Sequence, residues 1–118
     1  MNRKMLEGLY RAPKNKRLKS FLTRAADTEE VWILTEDAGK EALRQDEIYV
    51  WPHRELAEMY NSSAMVVMMD VHDFIEECQA RVDEADFIIR VFANDEDTCD
   101  VAAAELIESL QEELDLIE

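Results

Sequence analysis

The chain has 118 residues, of which 47% are apolar and 35% are charged, and its formal net charge at pH 7 is −15. A chain of this length can bury a core of its own in one domain. Two glycines are too few for a glycine-rich phosphate loop. No apolar run approaches the roughly 20 residues that span a bilayer, so we expect no membrane contact.

The charge is distributed unevenly along the chain. Residues 1–24 contain eight basic residues and one acidic residue, whereas residues 95–118 contain ten acidic residues and no Lys or Arg. We predict a basic N-terminal arm over residues 1–14 that is peripheral to a single domain over residues 15–118. The acidic body of the domain would repel phosphate, which disfavours direct binding to nucleic acid.

The first part of the domain predicts a helix followed by strands. The helix covers residues 15–26, because its apolar residues recur at spacings of three and four. They are Leu18, Phe21, Leu22 and Ala25. The run VWILT (31–35) is rich in β-branched and aromatic residues and predicts a strand. A turn containing Gly39 follows, and EALR (41–44) is predicted to be a returning strand.

The segment YVWPHR predicts a junction between a strand and a helix. The run IYVW (48–51) is typical of a strand, and the residue before a proline favours extended backbone. Pro52 suits the beginning of a helix, because its missing N–H would have no partner there. We therefore predict a short helix over residues 53–60.

The next part alternates strands and helices. The run AMVVMM (64–69) is apolar almost throughout, which predicts a central strand. Asp70 is expected to cap a helix over residues 71–85, and FIIRVF (87–92) predicts another strand. The apolar stripe of the predicted helix contains Val71, Phe74, Ile75, Cys78 and Val82.

The last part predicts a loop, ANDEDT (93–98), in which Asp97 or Thr98 caps a final helix over residues 99–114. That helix is expected to bury Val101, Ala104, Ile107, Leu110 and Leu114. The whole pattern predicts the α+β class: one compact domain with a mixed, mainly antiparallel sheet of four to five strands packed with about four helices.

The chain contains, in this order, the segments RLKSFLTRAADTEE, VWILTEDAG and VWPHRELAEMY, the pair Asp73–Phe74 and the segment VFAND. In these segments it resembles the DUF2750 family of small, mostly bacterial proteins of unknown function. The resemblance covers about residues 16–115, and VWPHRELAEMY is its most specific element. It implies the same fold and no particular activity.

The sequence contains no recognisable catalytic or metal-binding motif. His53 and His72 are 19 residues apart, without Cys or carboxylate at the spacing of a zinc site. Cys78 and Cys99 form no CxxC pair, which favours reduced thiols and a cytoplasmic location. We expect no metal, no cofactor and no catalytic residues, and a non-enzymatic role is favoured.

Two groups of residues are candidates for binding. Trp32, Tyr49, Trp51, His53 and Arg54 combine aromatic rings with a cation near strand ends, as binding hot spots do. Trp32 and Trp51 are also typical of core residues, and the Trp-Pro-His step is typical of a strand–helix junction, so both interpretations stay open. The second group, Glu105, Glu108 and Glu112, forms a predicted acidic face on the final helix.

These features predict a non-enzymatic, acidic protein that binds a partner with a basic surface. A more specific alternative is an immunity protein or antitoxin that neutralises a basic toxin or nuclease. A third hypothesis is a small-molecule-binding module, or an enzyme without a recognisable motif, that uses the Trp-Pro-His segment.

Overall fold

A five-stranded mixed sheet organises the chain in the computed structural model, which describes residues 3–37, 39–63 and 65–117, with residue 40 described by its backbone. The order across the sheet is β3-β1-β2-β4-β5, and β2–β4 is the parallel pair among antiparallel neighbours. The strands are β1 (Glu30–Leu34), β2 (Ile48–Trp51), β3 (Val66–Asp70), β4 (Ile88–Val91) and β5 (Cys99–Ala102).

Five α-helices accompany the sheet in the described part of the chain. They are α1 (Arg3–Tyr10), α2 (Lys14–Thr28), α3 (Arg54–Tyr60), α4 (Val71–Glu84) and α5 (Ala103–Ile117). A 3₁₀ helix also occupies Gly39–Leu43. This architecture confirms the predicted α+β class with a mainly antiparallel sheet. The predicted cap of α4 is also confirmed, because the carboxylate of Asp70 accepts a hydrogen bond from the backbone N–H of His72 at 2.9 Å.

One face of the sheet is buried and the other is partly open. In β1, Val31 and Ile33 are buried whereas Trp32 and Leu34 are half-buried, as the alternation of side chains along a strand requires. Helices α2, α4 and α5 cover the buried face, and α5 contacts both of the others. We call the opposite side, which carries Trp32 and Leu34, the open face; α3 covers part of it.

The predicted central position of the strand at 64–69 is wrong. β3 begins at Val66 and forms an edge of the sheet, paired with β1 on one side; residue 64 lies outside the described residues. The strand is apolar on both sides for another reason. Its Met69 packs under the helices, while Met68 lies opposite Trp32 on the open face.

The returning strand predicted for EALR is also wrong, because Glu41, Ala42 and Leu43 belong to the 3₁₀ helix and Arg44 follows its end. Gly39 enters it with a φ of 63°, a left-handed conformation that glycine adopts readily. Ala42 and Leu43 are buried. Their carbonyl groups accept hydrogen bonds from the side chains of Gln45 (2.8 Å) and Arg81 (2.7 Å), instead of from a strand.

The final helix begins later than predicted. Residues 99–102 form β5, and the backbone N–H of Ala103 donates to the carbonyl of Phe87 at 2.7 Å, which continues the pairing with β4 up to the helix. Neither Asp97 nor Thr98 can cap a helix that starts at Ala103. The buried residues of α5 are Ala103, Leu106, Ile107, Leu110 and Leu114, whereas Ala104 is exposed and Val101 is half-buried in β5.

The expectation that the basic arm is peripheral is wrong for α1. Leu6 and Tyr10 are buried members of the core cluster. The hydroxyl of Tyr10 donates to the carboxylate of Asp95 at 2.9 Å, and its carbonyl accepts from the side-chain amide of Asn94 at 2.7 Å. Residues 1 and 2 lie outside the described residues, and the division into residues 1–14 and 15–118 stays a prediction.

Candidate functional site

The parallel strands β2 and β4 end at the same edge of the sheet and bring two sequence motifs together. Pro52 and His53 follow β2, and residues 92–97 follow β4. The backbone N–H of Phe92 donates to the carbonyl of Val50 at 2.8 Å, so the pairing continues past the end of β4. Loops at the carboxyl ends of parallel strands are frequent positions for ligand sites, which makes this edge of the sheet a candidate site.

Trp51 is a buried anchor of this edge. Its side chain has 0% exposure, and its indole Nε1 donates to the carbonyl of Ala93 at 3.1 Å. The ring of Tyr60 lies 5.4 Å from the Trp51 ring, centroid to centroid. Because the ring is covered and its polar atom is satisfied, Trp51 joins the two strand ends and offers no contact to a ligand.

The loop after β4 is held by its own hydrogen bonds. Phe92 has a φ of 49°, an uncommon conformation for a residue with a side chain. The side-chain oxygen of Asn94 accepts from the backbone N–H groups of Glu96 (2.9 Å) and Asp97 (3.0 Å). The backbone of Asn94 donates to the carbonyl of Asp97 at 3.0 Å. This segment is therefore a fixed turn.

Arg17 of α2 is the residue that fastens this turn to the helices, and the sequence analysis did not identify it. Its side chain is 2% exposed and donates to the carbonyls of Phe92 (2.9 Å), Ala12 (2.8 Å) and Asp97 (3.3 Å). It also forms an ion pair with the carboxylate of Asp97. A buried guanidinium is tolerated when it is paired and its N–H groups are bonded, as they are here.

His53 and Arg54 lie at the start of α3, and both contact acidic residues of that helix. The side chain of His53 is 37% exposed, and its covered Nδ1 lies against the carboxylate of Glu55, in contact but without a hydrogen bond in the described structure. Arg54 pairs with Glu58 at 3.3 Å on the exposed side of the helix. The structure thus partly exposes His53, whereas it buries Trp51.

Trp32 and Tyr49 lie on the open face. Trp32 is the cross-strand neighbour of Trp51. The ring of Tyr49 lies 6.3 Å from that of Trp51 and 5.9 Å from that of Tyr60. Burial raises the pKa of the Tyr49 hydroxyl, an effect that the nearby guanidinium of Arg90 opposes.

The predicted patch is thus divided between three environments. Trp51 is buried on the same side of the sheet as the half-buried Trp32 and Tyr49, whereas His53 and Arg54 lie at the start of α3. The structure adds Tyr60 and Arg90, whose guanidinium lies 5.5 Å above the ring of Tyr49 and 3.4 Å from the carboxylate of Glu47. The role of the five predicted residues in binding stays a prediction.

The predicted acidic face lies on the outer side of α5. Glu105, Glu108 and Glu112 are all exposed, while Leu106 and Leu110 hold the opposite side of the helix in the core. The helix contains no Lys or Arg. The last turn has no basic residue and contains Asp115, whose charge faces the negative end of the helix dipole.

The two thiols are buried and poorly suited to nucleophilic chemistry. Burial raises the pKa of Cys78 to about 12 and also raises the pKa of Cys99. The thiol of Cys99 donates to the carbonyl of Lys14 at 2.9 Å. Within the described residues, no group of three or more His, Cys, Asp or Glu side chains could hold a metal ion. Likewise, no described helix is long and apolar enough to cross a bilayer.

The comparisons with known proteins give one match. The model of a family described as "Protein of unknown function (DUF2750)" matches residues 18–110. These residues run from α2 into α5 and include the junction after β2, the turn after β4 and the open face. No curated protein and no solved structure matches the chain significantly. Because the family model covers most of the sequence, the chain belongs to the DUF2750 family.

Proposed function

We propose that this protein is a non-enzymatic, cytoplasmic binding protein whose acidic face on α5 recognises a basic surface of a partner protein. We define the acidic face by Glu105, Glu108 and Glu112. The observation that carries the proposal is that these exposed carboxylates share one side of a helix that contains no basic residue.

The spacing of the three carboxylates is unfavourable in the isolated protein. Residues three and four positions apart are neighbours on a helix, so Glu105 repels Glu108 and Glu108 repels Glu112. Each pair of like charges costs roughly 0.2–0.5 kcal/mol. A basic partner would remove this repulsion and add attraction.

The packing of α5 against the core holds the acidic face in a fixed position. Leu106, Ile107 and Leu110 are almost completely buried, and the helix packs against both α2 and α4. Binding would therefore require little ordering of the backbone, which is one of the main costs of association.

A more specific form of the proposal is an immunity protein or antitoxin that blocks a basic toxin or nuclease. The net charge of −15 supports it, since complementary charge accelerates the encounter of such a pair. The small size of the chain is compatible with this role.

A small-molecule site on the open face is the second candidate. Its support is a shallow cavity of about 560 Å³ beside Tyr49, lined also by Leu34, Gln45, Asp46 and Glu47. The Trp-Pro-His segment itself supports this hypothesis less well, because the Trp51 ring is buried and its N–H is already bonded.

The experiment is affinity capture from the native cell followed by mass spectrometry. The test variant changes Glu105, Glu108 and Glu112 to Lys. The matched control changes Glu36, Glu84 and Glu96 to Lys. These residues are exposed on other segments, so the control alters the net charge by the same amount. The proposal predicts capture of a protein with a basic surface by the wild type and the control, with loss in the test variant. Equal capture by all three forms would refute a role for the acidic face.

A further inference from the structure

β3 is an edge strand whose residues before Asp70 lack the features that usually protect an edge. Met65 and Met68 are 59% and 50% exposed, and residues 65–69 carry no charge and no proline. Edge strands normally avoid pairing with other chains by carrying charges, prolines or bulges, or by being covered. The opposite edge, β5, is only four residues long and carries the exposed charge of Asp100.

The free backbone groups of β3 can be assigned from its pairing with β1. The backbone N–H of Thr35 donates to the carbonyl of Met65 at 3.0 Å, and the N–H of Val71 donates to the carbonyl of Glu29 at 2.8 Å. In an antiparallel pair, hydrogen-bonded positions alternate with positions whose groups point away. Val67, which is opposite Ile33, therefore bonds to β1. The N–H and C=O groups of Val66 and Met68 point away from it.

We infer that β3 pairs with β3 of a second copy of this chain, antiparallel and around a two-fold axis at Val67. In this register, Val66 of one copy is opposite Met68 of the other, so the outward groups of both strands bond to each other. A two-fold axis makes one patch meet itself. Two five-stranded sheets would join into one continuous sheet.

The distribution of charge selects this edge as the place where two copies can meet. Two chains that each carry a net charge of −15 repel each other, so close contact is favoured where the surface has no charge. The uncharged run 65–69 is such a place, and the nearest acid, Asp70, lies beyond the paired residues. In each copy the pairing would cover part of the exposed Met65 and Met68.

The inference is independent of the proposed function and responds to salt in the opposite direction. Salt screens the repulsion between two acidic copies and therefore strengthens the dimer. The same screening weakens the attraction of the acidic face on α5 for a basic partner. Failure of one idea is thus distinguishable from failure of the other.

The first test is the mass of the full chain in sedimentation equilibrium, over a series of protein and salt concentrations. We expect about twice the monomer mass of 13.7 kDa, with a dimer fraction that rises with salt. Met68→Pro removes an outward N–H and should give the monomer mass. The matched control, Asp100→Pro at the other edge, should remain dimeric. A wild type that is monomeric throughout, or a folded Met68→Pro protein that is still dimeric, would overturn the inference.

The second test fixes the register and does not depend on the proline variants. Val67 faces its own symmetry mate at a non-hydrogen-bonded position, where Cα atoms are about 4.5 Å apart, a distance that suits a disulfide. Met68 is separated from its symmetry mate by the diagonal distance of about 7–8 Å. Val67→Cys should therefore form crosslinked dimers several-fold faster than Met68→Cys under mild oxidation. Equal or reversed rates would contradict the register, and no crosslink at Val67→Cys would contradict the pairing.

Discussion

Replacing Arg17 by Met tests the physical account of the turn after β4. The substitution keeps most of the apolar stem and removes the guanidinium. It therefore deletes the hydrogen bonds to the carbonyls of Phe92, Ala12 and Asp97, together with the ion pair to the Asp97 carboxylate. The guanidinium would then no longer join the turn to the start of α2 and the end of β4.

The expected cost follows from burial. Removing one partner of a buried ion pair typically costs about 3–5 kcal/mol, because the remaining groups lose their bonds. Here the remaining carboxylate of Asp97 is 40% exposed and can be hydrated. We therefore expect a loss near the lower end, about 3 kcal/mol. Asp97→Asn should cost less, since Arg17 keeps its bonds to three backbone carbonyls.

The assay is urea unfolding of the wild type, both single variants and the double variant, followed by circular dichroism. The double-mutant cycle should show coupling between the two residues, so that the double variant loses less stability than the sum of the singles. A loss below about 1 kcal/mol for Arg17→Met, which is the size of a single ordinary hydrogen bond, would refute the fastening role.

The remaining predictions concern the core. Leu110→Ala should lower the free energy of unfolding by about 2–5 kcal/mol because the side chain is fully buried, whereas Leu116→Ala on the exposed side should change it little; equal effects would show that α5 is misplaced. Deleting residues 1–10 should lower the melting temperature, because two core side chains are lost, and an unchanged value would contradict the packing of α1. Trp51→Phe should cost roughly 1–3 kcal/mol through the lost hydrogen bond and volume, while His53→Ala should leave stability unchanged; a stable Trp51→Phe protein would contradict the anchor.

Periodicity and local chemistry predicted much of the fold. Helices α2, α3 and α4 and strands β1, β2 and β4 lie within a few residues of their predicted positions, since their apolar spacing agrees with their burial. The Trp51–Pro52 step marked the junction correctly because proline restricts its own backbone and that of the residue before it.

The errors arose where tertiary contacts decide the structure. An apolar pattern on both sides of a strand predicts a central strand that is covered on both faces. In β3 the same pattern occurs at an edge, because Met69 packs under the helices and Met68 lies opposite Trp32 on the open face. For β5, the pairing of Cys99 with Val91 prevails over the helical spacing of the residues that follow. The role of Arg17 was hidden among the basic residues of the N-terminal region. Its position four residues before the buried Phe21, on the same side of α2, is the signal that could have identified it.

The candidate site was predicted in composition but not in arrangement. The sequence grouped Trp32, Tyr49 and Trp51 with His53 and Arg54 because they are near each other along the chain or in predicted neighbouring strands. The neighbours of each side chain depend on the strand register, which places Trp51 opposite Trp32. The contact between the rings of Trp51 and Tyr60 depends on how α3 packs on the sheet, and the sequence pattern does not determine that packing. The acidic outer side of α5 could be predicted because helical spacing alone determines it.

The most direct test of partner recognition by the acidic face is a calorimetric titration of the captured partner at several salt concentrations. It would compare the wild type with the variant in which Glu105, Glu108 and Glu112 are changed to Lys. We predict wild-type affinity that falls as salt rises, and binding by the variant that is much weaker at low salt and nearly independent of salt. Equal affinity of the two proteins, with the same dependence on salt, would contradict the proposed function.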